Sequence, residues 1–575
     1  MLRNAKSTYF ALSNCINTNI MNKKSCFFIL KSILFLAFTS LFVACGGDSE
    51  SEPNPNPEPP VTTDSYVRFT QQTLQVSAGQ GATYITVEWS AAEWTLTPGN
   101  GDIIEELAMT SGGDKTKTKQ KSRVRMIHRA NLSTESRSQT LTLTNNETNE
   151  TATMTITQAA GYKAASVTLN AAEKYQPVVG FGGMLNPVIW CGSNLLSTGD
   201  INKLYSPNQL GYNILRLMIY PNPNDWAADV PAAKAAAAHG AIIFACPWDC
   251  TDALADQLEG KKHLKHENYA AYAQHLVDYI EYMRSQGVEI YAISVQNEPD
   301  MEFTFWKPNE VVTFLKEHGQ TIRNTGVKLM APEACGTQPD YTDPVLKDAD
   351  AFAQTDIIAG HLYQGFIDVN SGSYVKNRHD YICGLYNKLN GKTWWMTEHL
   401  FNDGEKSNNQ ADWQFQRWDY CLNHLGKEIH MSMEGYCSAY IYWYLKRFYG
   451  LMGDDDNRSP VAKGEIAKNG YIMSHYARFA NNTTRIAAEA TQDNLLTTAY
   501  INADGTELTV VMLNMQNQAL NVALNPGYDV EVTEAIYTTE QVDMQAATTV
   551  DNGNAAQPGV LVEPWSITSV RMALK

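Results

Sequence analysis

The sequence predicts a multidomain protein in which a small all-β sandwich precedes a (β/α)8 TIM barrel, with a C-terminal β-sandwich as a side domain. Between residues 65 and 160, short runs of alternating apolar and polar residues are separated by turn residues. Between about residues 180 and 479, strand-like apolar runs alternate with helical stretches. From residue 480 to residue 575 the strand pattern returns. The chain of 575 residues has room for two or three such domains.

Residues 1–45 have the order of a secretion signal. A basic stretch begins at Met21, an apolar run covers residues 27–44, and Cys45 follows directly. We expect translation to start at Met21 and Cys45 to be acylated, as in a bacterial lipoprotein. The alternative is a membrane-spanning anchor, which the cysteine at the end of the run and the lack of a following basic cluster disfavour.

Residues 46–64 are rich in Pro, Asn and Glu, which predicts an extended, polar tether that buries nothing. Its acidic start resembles the export signal of lipoproteins on the outer face of the Gram-negative outer membrane. We therefore expect an outer-membrane lipoprotein at the cell surface, facing the exterior.

Composition narrows the set of partners. The formal net charge of −17 disfavours nucleic acid as a partner, because the chain repels polyanions.

The cysteines beyond Cys45 are odd in number and lie in apolar runs, so we expect mostly buried thiols. Cys246 and Cys250 leave open one local bridge or a metal site, but no histidine lies at ligand spacing. We expect no metal, no cofactor and a monomer.

Residues 65–160 carry strand-like runs at 67–69, 84–89, 139–143 and 153–158, which predict the first sandwich. The segments 93–96, 131–137 and 155–158 resemble the BACON domain found on surface glycan-degrading proteins. A spacer that holds the rest of the chain away from the membrane is the preferred interpretation, and sugar binding is the alternative.

The barrel is expected within residues 165–479, with residues 165–175 forming a strand of the side sandwich at 480–575. The sequence between 268 and 285 has apolar residues at helical spacing. Alternation in the 393–397 run puts Trp394, Met396 and Glu398 on one face, so we expect Trp394 to fill the barrel and Trp395 to contact a helix. The predicted strands are 214–219, 241–245, 289–295, 328–331, 357–362, 393–397 and 439–444.

Two glutamates, Glu298 and Glu398, each follow a predicted barrel strand, where barrel enzymes carry their chemistry. A glutamate after a strand is by itself more often a loop charge or a helix cap. Together, two carboxylates facing one cleft are the minimum machinery of a retaining glycosidase, and their carboxyl groups should then lie about 5–5.5 Å apart. An ionised Glu398 would keep Glu298 protonated as an acid until Glu398 is esterified, after which Glu298 acts as a base.

Eight motifs, from about residue 166 to the C-terminus, occur in the order seen in glycoside hydrolase family 30, and they most resemble its bacterial glucuronoxylanase subgroup. The resemblance implies a barrel with a side sandwich, retention of anomeric configuration and endo cleavage of β-1,4-xylan. The motifs are Gly180-Phe181-Gly182-Gly183, Ile214-Leu215-Arg216, residues 292–300, Met330-Ala331-Pro332-Glu333, Gly360-His361-Leu362-Tyr363, Trp395-Met396-Thr397-Glu398, residues 443–450 and Lys468-Asn469-Gly470-Tyr471.

The resemblance also implies roles for single residues. Glu298 corresponds to the general acid/base, Glu398 to the nucleophile, and Asn297 to the residue that bonds the sugar 2-hydroxyl. Arg216 and Tyr363 correspond to groups that position Glu398 and hold it ionised, with a purely structural ion pair as the alternative for Arg216. His361 is expected to be a satisfied core histidine rather than a base, since two carboxylates complete the mechanism.

Four tryptophans follow strand-like runs, and each could stack on a sugar ring or pack in the core: Trp190, Trp248, Trp306 and Trp443. The family pattern favours Trp443.

Arg447 and Tyr449 match the positions that grip the glucuronic acid branch in the subgroup. The chain departs from the pattern at Leu400, which replaces a tyrosine, and at the nearby acidic Asp403. The acidic residues 453–457 add to this departure, although we expect them to form a solvated loop.

These residues favour a surface-anchored endo-xylanase that cuts decorated xylan, with glucuronoxylan as one candidate, and retains the anomeric configuration. Two alternatives stay open. One is another β-glycan hydrolase of the same family, such as a β-1,6-glucanase or a β-glucosidase. The other is a non-catalytic surface glycan-binding lipoprotein.

Overall fold

The structure, a computed structural model, describes residues 65–189, 196–363, 366, 375–401, 417–551 and 553–575. The predicted signal with Cys45, the tether, Trp190 and Asp403 lie outside the described residues. Among the described helices, none has the length and apolar character needed to cross a membrane.

Residues 65–160 form two sheets that pack on one core. Strands β1, β3, β7 and β5 form the first sheet, and β2, β9, β8, β4 and β6 form the second. In β3 the side chains of Ile85, Val87 and Trp89 are buried at alternate positions, as expected for a strand with one face on the core. The strands are β1 Tyr66–Phe69, β2 Thr73–Val76, β3 Gly81–Ser90, β4 Ala92–Pro98, β5 Ile104–Leu107, β6 Ser111–Asp114, β7 Gln120–His128, β8 Arg137–Asn145 and β9 Thr151–Gln158.

Eight parallel strands close into the barrel, which confirms the predicted fold class. Seven of them overlap the predicted strands, and the eighth is the glycine-rich strand Gly180–Leu185. A two-stranded hairpin, β14 Ala255–Leu258 and β15 Lys261–Leu264, lies between two of the barrel strands in the sequence. The barrel strands are β11 Gly180–Leu185, β12 Ile214–Ile219, β13 Ile242–Pro247, β16 Ala292–Ser294, β17 Lys328–Ala334, β18 Ile357–Gly360, β19 Thr393–His399 and β20 Cys437–Tyr442.

Ten α-helices belong to the described part of the barrel region, and the predicted helix at 268–285 is α3. They are α1 Thr198–Tyr205, α2 Val230–Ala238, α3 Tyr269–Ser285, α4 Pro308–Arg323, α5 Pro339–Lys347, α6 Ala349–Gln354, α7 Lys376–Leu385, α8 Trp418–Cys421, α9 Lys427–Glu434 and α10 Lys468–Ala480.

The barrel interior holds a small apolar cluster to which nearly every strand contributes. Trp395 belongs to this interior cluster, where its ring stacks on Tyr291 at 5.9 Å, while Trp394 packs in the larger cluster between strands and helices. The prediction for these two tryptophans was therefore wrong. The pairing of β19 with β20 shifts register between Met396 and His399, and such an irregularity changes which side chains face inward. Glu398 reaches the interior end of the barrel because of this shift.

The C-terminal sheet has ten strands and includes a long strand from before the barrel, β10 Tyr162–Val178. The predicted strand at 165–175 lies in β10, which pairs parallel with the strand Ala519–Asn525 and antiparallel with the strand Thr483–Ala490. Apolar residues from both ends of this sheet join one cluster, so the sheet curls around its own core. The other strands are β21 Thr483–Ala490, β22 Leu495–Asn502, β23 Glu507–Asn514, β24 Ala519–Asn525, β25 Val530–Thr538, β26 Gln545–Ala546, β27 Thr549–Val550, β28 Gly559–Val562 and β29 Ser566–Leu574.

We predict that Gly182→Ala prevents formation of a stable barrel. A Cβ atom at Gly182 would lie 1.7 Å from the backbone oxygen of Ile214 on the neighbouring strand, so the two strands would have to separate. Thermal unfolding and soluble yield measure the effect. The matched control is Gly384→Ala in α7, where nothing lies within 4 Å of the added atom. This control should stabilise the protein by about 0.5–1 kcal/mol. Equal stability of the two variants would contradict the prediction.

Candidate active site

Glu298 and Glu398 lie together at the carboxyl end of the barrel strands. Glu298 follows β16, and Glu398 lies near the end of β19. Both side chains are nearly buried, with exposed fractions of 8% and 5%. A carboxylate oxygen of one lies within 4.8 Å of a carboxylate oxygen of the other. The structure therefore brings the two predicted catalytic glutamates into one site, although they are a hundred positions apart in the chain.

The backbone at Glu298 has an uncommon conformation, with φ of +44°. Its N–H donates to the backbone oxygen of Glu333 on the next strand at 2.9 Å, which fixes this turn of the chain. Glu333 also has a positive φ, of +63°. Side chains other than glycine rarely adopt such angles, and where the surrounding structure enforces them they are concentrated at functional sites.

Arg216, on β12, is fully buried and connects the site. Its Nη1 donates to Glu398 Oε2, and its Nη2 donates to Asn297 Oδ1 at 2.7 Å and to Glu333 Oε1 at 3.0 Å. Burial by itself lowers the pKa of Arg216, but the charges of Glu398 and Glu333 outweigh burial and raise it. The guanidinium is therefore a permanent positive charge between the carboxylates.

Two donors hold the Glu398 carboxylate. Arg216 binds Oε2, and the Tyr363 hydroxyl donates to Oε1 at 2.8 Å. Burial raises the pKa of Glu398, while the positive charges of His361 and Arg216 act in the opposite direction. Burial also raises the pKa of Tyr363, so its hydroxyl stays a proton donor. Both oxygens of Glu398 are thereby oriented by groups from other strands.

His361 is fully buried, as expected for a core histidine, and it lies between the carboxylates of Glu298, Glu333 and Glu398. Its Nδ1 lies 3.0 Å from Glu298 Oε1, and its Nε2 lies 3.5 Å from Glu333 Oε1 and 4.0 Å from Glu398 Oε2. Burial on its own lowers the pKa of His361, but the surrounding carboxylates outweigh it and raise the pKa to about 10. At neutral pH the ring is an imidazolium.

Glu333 is a member of the site that reasoning from the sequence did not identify. It is fully buried, and its carboxylate accepts from Arg216 and, at 2.9 Å, from the Ser294 hydroxyl. Burial raises the pKa of Glu333, but His361 and Arg216 outweigh it and lower the pKa below its ordinary value. The signal was present, because Glu333 follows the strand-like run 328–331 just as Glu298 and Glu398 follow theirs.

Asn297 and Asp300 flank Glu298. The Asn297 side chain is fully buried, and its Oδ1 accepts from Arg216, while its Nδ2 has no partner among the described residues. Asp300 accepts from the backbone N–H of Cys335 at 3.0 Å. Burial, reinforced by the charge of Glu298, raises the pKa of Asp300 to about 6. Ionisation of Asp300 therefore adds negative charge beside Glu298 as the pH rises through this value.

Of the predicted stacking tryptophans that the structure describes, Trp248 and Trp443 lie beside the site. Trp248 is 2% exposed, and the Arg216 guanidinium lies 4.6 Å from the centre of its ring, so it supports the arginine instead of offering a free face to a sugar. Trp443 is 8% exposed and packs 5.8 Å from Trp248. It therefore lies beside the site.

Trp306 does not belong to the site. Its ring stacks on Tyr269 at 5.5 Å and contacts Phe314 at 5.1 Å, so it is part of the packing of α3 and α4. The stacking prediction for Trp306 is wrong, because an aromatic ring after a strand can equally fill the layer between strands and helices.

Arg447 and Tyr449 follow β20 in a loop of aromatic residues, where the Arg447 guanidinium lies 5.2 Å from the Tyr449 ring. Leu400 is buried at 7% exposure. The acidic residues after Tyr449 are not a fully solvated loop, because Asp454 is 5% exposed. Burial raises the pKa of Asp454, against the opposing charge of Arg447. The loop thus places a carboxylate of the chain itself near Arg447.

The donor atoms of Glu298, His361 and Glu398 lie within 4.8 Å of one another, a spacing that a metal ion could use. Arg216 and the protonated His361 already supply positive charge at this point, so these groups serve as partners for one another. The cysteines Cys246 and Cys250 are free buried thiols and do not form a bridge.

No protein-family model matches the chain. The glucuronoxylanase XynC of Bacillus subtilis (strain 168) is 35% identical over 369 residues, which cover 62% of this chain and 80% of that protein. A GH30 endoxylanase structure from Clostridium papyrosolvens C71 matches with a TM-score of 0.59 and 30% identity, over 71% of this chain and 100% of that chain.

A second solved structure, the glycoside hydrolase family 30 subfamily 8 xylanase Xyn30A from Clostridium acetobutylicum, matches with a TM-score of 0.58 and 28% identity, over 71% of this chain and 99% of that chain. The chain resembles these relatives in its barrel, in its side domain and in its sequence. The chain therefore belongs to glycoside hydrolase family 30.

Proposed function

We propose that the protein is a retaining endo-β-1,4-xylanase that cuts decorated xylan by double displacement. The observation that carries this proposal is the approach of a carboxylate oxygen of Glu298 and one of Glu398 to within 4.8 Å at the carboxyl ends of the barrel strands. Retaining enzymes hold the two carboxyl groups about 5–5.5 Å apart, whereas inverting enzymes need about 6.5–9.5 Å to admit a water molecule. Similarity to xylanases of the same family supports the choice of substrate.

In the first half-reaction, Glu398 attacks the anomeric carbon while Glu298 donates a proton to the leaving oxygen. Arg216 and Tyr363 orient the attacking carboxylate through one bond to each oxygen. The product of this step is a glycosyl ester on Glu398. In the second half-reaction, Glu298 takes a proton from water, and the water oxygen displaces Glu398 from the sugar.

Asn297 is the group proposed to bond the sugar 2-hydroxyl. Its Oδ1 is engaged by Arg216, which turns the amide so that Nδ2 is left as the donor for a substrate. A hydrogen bond to the 2-hydroxyl strengthens as positive charge develops at the adjacent carbon, and it therefore stabilises the transition state more than the bound substrate.

We predict that Glu398→Gln reduces xylan hydrolysis by about a thousandfold or more, because the amide cannot form the glycosyl ester. Binding of xylan in affinity gel electrophoresis should persist. The control is Glu289→Gln, at a glutamate that is 76% exposed and outside the site, which should hydrolyse xylan at the wild-type rate.

A glycan panel distinguishes this function from its alternatives. A wild type that turns over only β-1,6-glucan or β-glucosides would replace the xylanase proposal with another activity of the family. The endo-β1,6-glucanase BT3312 matches with a TM-score of 0.56 at 18% identity, which shows only the shared fold. A wild type that binds xylan but hydrolyses no glycan would favour a surface glycan-binding lipoprotein.

Arg447 is the proposed contact for an acidic branch, although Leu400 and the nearby Asp454 weaken the case for a strict requirement. A guanidinium can hold a carboxylate through two parallel bonds. The preferred form of the proposal is therefore an enzyme that accepts a glucuronic acid branch without depending on it.

We predict that Arg447→Ala lowers kcat/KM on glucuronoxylan by about tenfold and leaves unbranched xylan within about twofold of wild type. Initial rates on the two polymers give the ratio. Arg284→Ala, at the far end of α3 where Arg284 pairs with Glu281 at 2.7 Å, is the control and should change neither rate. An equal loss on both polymers would show that Arg447 supports the site generally and reads no branch.

We further propose that Cys45 anchors the protein to the outer membrane and that the sandwich at 65–160, which resembles BACON domains, is a spacer. Its two sheets close on their own core, as expected for an independent module.

We predict that Cys45→Ala moves the protein from the outer-membrane fraction to a soluble fraction. Membrane retention of this variant, measured by fractionation and surface labelling of cells, would contradict the anchor.

A further inference from the structure

Glu333 has no part in the two half-reactions, yet it is the most deeply buried carboxylate of the site. It lies on β17 with no exposed surface. Its Oε1 is 3.0 Å from Arg216 Nη2 and 3.5 Å from His361 Nε2. A buried carboxylate between two cationic side chains is costly to desolvate, and it needs the full set of partners that it has here.

Each of these two cations contacts a catalytic glutamate on its other side. Arg216 donates to Glu398 through Nη1, and His361 Nδ1 lies 3.0 Å from Glu298 Oε1. Glu333 is thus linked to both catalytic carboxylates through one intervening cation each. The arrangement alternates in charge, with three carboxylates and two cations.

We propose that Glu333 is a positioning residue for the reaction, whose carboxylate holds Arg216 and His361 in the orientations that place Glu398 for attack and Glu298 for proton transfer. This inference rests on the proposed function, because it assumes the roles given to the two catalytic glutamates. No substrate contact is assigned to Glu333.

The bonds of Glu333 make it a rigid support. Ser294 on β16 donates to Oε2 at 2.9 Å, so both carboxylate oxygens are engaged. The backbone of Glu333 accepts the N–H of Glu298 at 2.9 Å, so the same residue also anchors the turn that carries the acid/base. The positive φ at Glu333 is unfavourable for a residue with a Cβ atom, and the surrounding packing and hydrogen bonds hold the backbone in this conformation.

The charge of Glu333 also bears on the protonation of His361. The carboxylates facing His361 raise its pKa to about 10 against the effect of burial. Removing one of these negative charges lowers the pKa, so His361 then loses its proton at a lower pH. The other titratable groups around this ring are Glu298, Glu398, Tyr363 and Asp300.

The test is Glu333→Gln, which keeps the size of the side chain and removes its charge. We expect kcat on xylan to fall by about a hundredfold with KM within about twofold, because orientation affects the transition state more than the bound substrate. The basic limb of the kcat/KM profile should move to lower pH by about one unit or more. Glu333→Asp, which retains the charge, should lower kcat while leaving that limb near its wild-type position.

Two further variants make the result decisive. Asp356→Asn removes a different paired acid, one that binds Arg323 at 2.9 Å just before the start of β18, at the opposite end of the barrel strands from the site, and it should leave kcat and the pH profile unchanged. Ser294→Ala removes one bond to Glu333 but no charge, and it should lower kcat without moving the basic limb. This second variant also tests the proposal if Glu333→Gln does not fold.

A Glu333→Gln enzyme with wild-type kcat and an unmoved basic limb, or one that loses only thermal stability, would overturn the inference. A wild type without activity on xylan would instead refute the proposed function, so the two failures are distinguishable. If Glu333→Gln is insoluble, a Ser294→Ala enzyme with wild-type kcat would overturn the inference in its place.

Discussion

The arrangement of the site depends on one buried arginine. Arg216 stands on β12 with no exposed surface and bonds Glu398, Asn297 and Glu333, which come from three other parts of the barrel. A buried guanidinium is costly unless it is paired, and both terminal nitrogens of Arg216 have acceptors here, while the arginine in turn supplies positive charge to the buried carboxylates. Since the partners are mutually dependent, the geometry of the site is fixed before a substrate arrives, as electrostatic preorganisation requires.

The interior apolar cluster of the barrel is small, which leaves space for Arg216 and the polar side chains around it. Gly182 contributes no side chain to it, and a Cβ atom at this position would collide with the neighbouring strand. Trp395 fills much of the remaining space, stacked on Tyr291. The charged side chains stand above this cluster at the carboxyl ends of the strands. The interior apolar cluster thus stabilises the barrel, and the polar residues at the carboxyl ends of the strands carry the chemistry, as is usual for this fold.

Elements with a strong local signal could be predicted from the sequence. The barrel strands with long apolar runs, the amphipathic helix α3 and the two glutamates at strand ends were predicted because each is encoded within a few residues. The features that were missed depend on contacts between strands. The alternation of β19 breaks between Met396 and His399, so Trp394 and Trp395 face the opposite ways from those predicted by counting back from Glu398. The strand β11 is glycine-rich because the neighbouring backbones approach closely. Trp306 packs between helices that only the fold brings together. The charge of His361 could not be predicted either, because it depends on three carboxylates that the fold brings around the ring.

The stereochemistry of the first product tests most directly whether Glu298 and Glu398 act as a pair. Proton NMR of a xylo-oligosaccharide digest, recorded before mutarotation is significant, reports the anomer released at the new reducing end. Two carboxylates at the observed separation predict the β-anomer, since two successive inversions restore the original configuration. Initial release of the α-anomer would mean that water attacks directly, and it would contradict the assignment of Glu398 as a nucleophile held by Arg216.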